Sequence, residues 1–202
     1  VADILIDNQT APTTPASGKS VLWVDSTTKK QVQTDDSGVH HGIISRNTAT
    51  AAQGALATTE VYLTSSNLLI PSMGLTAGMV MIWYIGVVKT AASTAAPIWT
   101  WRVGAAGTVA DTSRIAATSV QAQTAVASDG TLVATCTVRT AGTSGILYGA
   151  GPSGAPGFGG GGQAASAAFD LTILGGQYIG LTVTTGTSAA WTVNGLTCMI
   201  LN

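Results

Sequence analysis

From residue 47 onward apolar residues return at every second position, in short runs separated by Gly, Ser, Asn and Asp, which is the period of strands that bury one face. Residues 131–139 show it most openly. Leu132, Ala134, Cys136 and Val138 share one side, and Thr131, Thr135, Thr137 and Arg139 the other, with Val133 the exception. Comparable runs at residues 60–63, 68–70, 79–88, 98–103, 120–126, 146–148, 169–173, 178–184 and 191–201 predict an all-β domain without helices. Their number fits a jelly-roll-like two-sheet β-sandwich. In the last run Trp191 and Val193 have one parity and Leu196, Cys198 and Ile200 the other. A bulge at Asn194-Gly195 restores the register, and a hairpin turn there is the alternative. The apolar run 78–88 (GMVMIWYIGVV) is too short for a membrane-spanning helix and rich in β-branched and aromatic residues, so it predicts a strand buried on both faces.

The first 45 residues read differently. Pro12, Pro15 and Gly18 punctuate an extended arm, after which Val21-Leu22-Trp23-Val24 and Gln31-Val32-Gln33 predict two strands joined into a β-hairpin through residues 25–30. The expected division is therefore an arm and docking hairpin over 1–45 and a sandwich over 46–202. A hairpin alone cannot bury its apolar side. It either packs on the domain that follows or docks on another protein, and the second reading makes Val21, Leu22, Trp23, Val24 and Val32 candidate docking residues.

Charge sharpens this division, because residues 1–46 hold nine of the seventeen charged side chains. With a net charge of −1 and a pI near 6.0, no field exists to gather phosphates, and neither nucleic acid nor membrane is an expected partner. The opening VADILIDNQTAP has no basic stretch and carries Asp3 and Asp7, so it is not expected to act as a secretory signal. Cys136 and Cys198 lack zinc spacing and fall on apolar sides, as free thiols do, with a single disulfide the alternative.

Catalytic chemistry finds little to work with. His40 and His41 are the only histidines and lie in the joint between hairpin and sandwich, outside reach of a triad inside the β domain. Copies of His41 around a symmetry axis could bind a metal, but adjacent linker histidines are ordinarily solvated, and no metal or cofactor is expected. Glu60 and Asp111 are the nearest acidic neighbours in the sandwich, and Asp111 reads as a turn former. The glycine run 149–162 (GAGPSGAPGFGGGG) contains prolines and precedes no helix, so it predicts a long flexible loop, not a phosphate cradle. Trp99 and Trp101 share a strand face and read as core or subunit seam, with glycan contact the sharper alternative.

Two stretches carry a resemblance. Residues 14–25 (TPASGKSVLWVD) followed by 31–38 (QVQTDDSG) are similar to segments that open many phage fibre and appendage proteins. Residues 59–63, 89–97 and 187–193 are similar to phage jelly-roll proteins, so the chain resembles structural proteins of tailed-bacteriophage virions. The resemblance implies a non-enzymatic, commonly trimeric virion component on the outer surface, a capsid decoration or head-fibre subunit docked on the major capsid protein or another virion component. A tail fibre contacting host glycans is the alternative, and a free carbohydrate-binding module a further one.

Overall fold

The structure is a computed structural model that describes residues 8–56, 58–91, 95–119, 123–153, 157–158, 160–186 and 191–202. The first seven residues of the expected arm, residues 120–122 of one expected strand, and residues 154–156 and 159 of the glycine run lie outside the described residues, as do 92–94 and 187–190. No helix occurs among those described.

Strands β1 (Asn8–Gln9), β2 (Val21–Asp25), β3 (Gln31–Thr34) and β4 (His40–His41) form an N-terminal sheet in that order. The chain continues through β5 (Ile43–Ala49), β6 (Gln53–Leu56), β7 (Val61–Tyr62), β8 (Leu68–Leu69), β9 (Val80–Lys89) and β10 (Ile98–Gly104). Then come β11 (Thr112–Thr118), β12 (Ser128–Thr140), β13 (Ile146–Ser153), β14 (Gln163–Ala165), β15 (Tyr178–Thr184) and β16 (Trp191–Leu201). A seven-stranded sheet runs β14-β13-β12-β9-β16-β5, with β6 also paired to β16. A five-stranded sheet runs β11-β10-β15-β7, with β8 also on β15, and both are antiparallel throughout. The result is a two-sheet β-sandwich, as the alternation predicts.

Period two decides what faces inward. Met81, Trp83, Ile85 and Val87 of β9 and Leu132, Ala134, Cys136 and Val138 of β12 come from one sheet, and Trp99, Trp101, Val103, Ile179, Leu181 and Val183 from the other. All are buried, each side chain contributing about 1.5–3 kcal/mol when it is as large as Val or Leu. Most buried indoles find a partner for N–H, although Trp101 Nε1 has none among the described residues. Trp83 Nε1 donates to the Ser66 carbonyl and Trp191 Nε1 to Gln123 Oε1, both at 2.7 Å. The register of β16 shifts between Val193 and Gly195 against β9, so the Asn194-Gly195 bulge is present.

Four expectations need correction. Strand β9 is buried on one face only, since Tyr84 and Val88 are 42% and 39% exposed on the other. Residues 169–173 make only an isolated bridge from Phe169 to Gly145. Asp170 Oδ1 accepts hydrogen bonds from Thr172 N and Oγ1, so a local turn takes those donors from a ladder. Residues 123–126 are not strand either, because the buried Gln123 amide joins separate segments, donating to the carbonyls of Ala95 and Thr185. Two described parts of the glycine run are packed, not free: Gly149–Ser153 completes β13, and Phe158 is buried edge-on to Trp191, with ring centroids 5.1 Å apart. Strand β5, unforeseen, begins at Ile43 and crosses the expected boundary between hairpin and sandwich.

Candidate interaction surfaces

The N-terminal sheet has two unlike faces. On the inner one, Trp23 and Val32 are fully buried, Val21 packs against the core, and Trp23 Nε1 donates to Thr34 Oγ1 at 2.9 Å. Thr34 Oγ1 in turn lies 2.7 Å from Nδ1 of His40, whose ring stands edge-on to Trp23. The Thr34 hydroxyl thus links the Trp23 indole to the His40 ring in one buried chain. Burial, and then the neighbouring His41, hold the His40 pKa below its ordinary value.

This sheet is tied to its own sandwich by Asp25. Its Oδ1 accepts from the amides of Thr27 and Thr28 at the hairpin turn, while Oδ2 accepts from Ser72 N at 3.1 Å and Ser72 Oγ at 2.5 Å. Burial works to raise the Asp25 pKa, but hydrogen bonds led by that of Ser72 outweigh it and leave the carboxyl below its usual range. Gly42 N and the Asn202 carbonyl add a further tie at 3.1 Å.

The five candidate docking residues therefore do not form one patch. Alternation turns Val21, Trp23 and Val32 inward, against the same chain, which supplies the cover that an isolated hairpin lacks. Leu22, 51% exposed, and the half-buried Val24 remain on the open face beside Gln31, Gln33 and His41. His41 Nε2 is 3.0 Å from Asp35 Oδ2 on that face. Among the described residues no cluster of three His, Cys, Asp or Glu side chains could hold a metal.

The outer faces of the sandwich contrast just as strongly. On the five-stranded sheet, Arg102 Nε donates to Glu60 Oε1 at 2.8 Å, and Thr182 Oγ1 donates to the same oxygen. The guanidinium beside it, chiefly, holds the Glu60 carboxyl below its ordinary pKa. Arg102 also donates to the Asp111 carbonyl at 2.5 Å, so Glu60 and Asp111, distant in sequence, meet around one cation. The Asp111 carboxylate is taken by amides of its own turn, from Ala106, Gly107 and Thr108, in keeping with its reading as a turn former.

The seven-stranded sheet presents Val80, Ile82, Tyr84, Val88, Val133, Met199 and Leu201 outward among threonines. Its outward strand positions carry charge only at Arg46, Asp129 and Arg139. Gly86 and Gly195 face each other across β9 and β16, and with Tyr84, Thr48, Thr50, Thr131 and Thr197 they line an open depression of about 480 Å³. This surface was missed because the run 78–88 is apolar at every position. The signal lay in the flanking strands, where Thr131, Thr135, Thr137 and Thr197 mark an outward side.

Trp99 and Trp101 point into the sandwich and are buried, Trp99 lying 5.7 Å from Trp191 by ring centroids. Neither indole face is open to a sugar in this chain. Both cysteines are free and buried, and burial raises their thiol pKa values, that of Cys198 to about 12. No protein-family model matches the chain, and no curated protein matches it.

Proposed function

We propose that this protein is a non-enzymatic structural subunit of a tailed-bacteriophage virion, a capsid decoration or head-fibre protein. The N-terminal sheet docks on the major capsid protein or another virion component, and the jelly-roll-like sandwich projects from the particle surface within a homotrimer. One observation carries this reading: the outer face of the seven-stranded sheet. A solvated antiparallel sheet ordinarily turns polar residues outward, whereas this one turns out Val80, Ile82, Tyr84, Val88, Met199 and Leu201 with charge only at three positions. Depletion of charge with Tyr and Met at the centre is the composition that subunits bury against one another.

Leu22 and Val24 supply the docking side, since both lie on the open face of the N-terminal sheet. Replacing both with Asp leaves the buried Trp23 face intact. Particles stripped of the protein and offered this variant should fail to bind it, while its circular dichroism and melting stay those of the parent. Wild-type attachment would sink the docking assignment.

A tail fibre that contacts host glycans is the second reading. With Trp99 and Trp101 inside, it is favoured by the depression beside Tyr84, where one exposed ring and four threonine hydroxyls surround a glycine floor. Glycan-array binding that disappears in Tyr84→Ala would select it over the first.

A further inference from the structure

A second depression, of about 280 Å³, lies where the N-terminal sheet meets the sandwich. One wall brings Thr28 and Lys30 from the β2–β3 turn, and the other brings Ser45 and Arg46 from β5, with Asn67 and Tyr178 at the sandwich side. Lys30 and Arg46 are exposed, and neither has a carboxylate partner among the described residues, where the ion pairs are His41–Asp35 and Arg102–Glu60. The lining contains no acidic side chain. In a chain with only eight Lys and Arg, two unpaired cations from different elements share one concavity.

A neutral donor points the same way. Asn47 Nδ2 donates to both the carbonyl and Oδ1 of Asn67, at 3.0 and 2.9 Å, which commits the Asn67 oxygen and leaves its Nδ2 without an acceptor among the described residues. Thr28 is committed to the Asp25 carboxylate behind the wall, its amide donating to Oδ1 at 2.7 Å, so the groove is left to Lys30, Arg46 and the Asn67 amide. Cations and an amide donor around a space this small suit a single negatively charged group, because pockets for whole small molecules run to roughly 300–1,000 Å³.

We propose that this groove is an oxyanion site that takes one carboxylate or phosphate group, the Arg46 guanidinium gripping it in bidentate fashion and Lys30 adding a point charge. The same chemistry serves a free small anion or an acidic side chain on a docked protein. It does not depend on the virion reading, and Leu22 and Val24 are not part of it.

The test is a titration of the isotope-labelled full chain, followed by amide resonances, with sodium glutarate, inorganic phosphate and N-acetyl-glutamate amide in turn, at ionic strength held constant with sodium chloride. Saturable shifts at the Asn67 side-chain amide and at the Arg46 and Tyr178 backbone amides are expected with at least one probe and absent with chloride alone. Lys30→Gln and Arg46→Gln should each weaken binding about tenfold, and the double variant should abolish it. Both side chains are at the surface, so the fold is kept. Tighter binding of free glutarate or phosphate assigns a free anion, and tighter binding of the blocked glutamate assigns a protein side chain. Shifts that stay linear with all three probes, or that persist in the double variant, overturn the proposal.

Discussion

Gly149 has no room for a β-carbon. One placed there would lie 2.9 Å from the Trp101 ring and 3.2 Å from Cδ1 of Ile115, while at Gly151 the nearest atoms are the Gly162 carbonyl at 3.1 Å and Trp99 at 3.4 Å. The glycines of β13 thus make space for two indoles of the facing sheet, which is why a run that reads as a flexible loop is strand at its start. Gly149→Ala should destabilise the protein by about 1–3 kcal/mol through overpacking. Gly160, with nothing within 4 Å, is the control, and its replacement by Ala should stay within roughly 0.5 kcal/mol of the parent in urea denaturation. Composition shows where glycines are; only the opposite sheet shows which ones are required.

Among the elements, the N-terminal sheet joins the sandwich through few polar contacts, and two of its groups titrate against the fold in acid. The folded pKa of His40 lies below the ordinary 6.5, so the unfolded chain binds more protons between the two values. Stability is full above about 6.5 and is lost as pH falls toward the folded value. Asp25 behaves in the same sense lower down: its contribution is present above 3.8 and is lost as pH falls through its depressed folded value. Hydrogen exchange of β2 and β3 amides should therefore quicken, relative to the sandwich, in two steps on acidification. His40→Gln should remove the upper step and leave the lower. A single step at the same pH in both proteins would show that the Trp23–Thr34–His40 chain does not secure this sheet.

That sheet also shows how far local pattern reaches. Strands β2 and β3 were legible because the apolar run Val21-Leu22-Trp23-Val24 and the segment Gln31-Val32-Gln33 flank the polar turn residues 25–30, and the structure pairs Trp23 with Val32. What covers their inner side was not legible, since Ser72 lies 47 positions from Asp25. Strands β5 and β11 were missed for a related reason. Their sequences, IISRNTA and TSRIAAT, carry few apolar residues, and they exist as strands because β16 and β10 offer them a ladder.

For the whole molecule, the contrast between the two outer faces bears on the proposed homotrimer. The five-stranded face is knitted by Arg102 and Glu60, whereas the seven-stranded face has Tyr84 and Val88 outward and little charge to oppose an identical surface. For the proposed homotrimer, Tyr84→Asp with Val88→Asp should leave only monomers in sedimentation equilibrium without lowering the melting point of the monomer. Unchanged mass would remove this face from the assembly. Cys136 and Cys198 face the interior of the central strands, so they should react with a thiol reagent only when the sandwich opens globally, both at one rate. Labelling of either thiol well ahead of unfolding would mean the sheet opens locally.

Sequence by itself determined the strand class, most of the long strands, the hairpin and the scarcity of charge, because each is written in the side chains of adjacent residues, whereas the choice of a bulge over a turn at Asn194-Gly195 came from the pairing of β16 with β9. The tertiary structure decided which apolar side of the hairpin is hidden, which tryptophans are out of reach, which glycines must stay glycine and which lysine and arginine share a groove. Those depend on contacts between residues far apart along the chain, and a period of two carries no information about what lies across the gap between sheets.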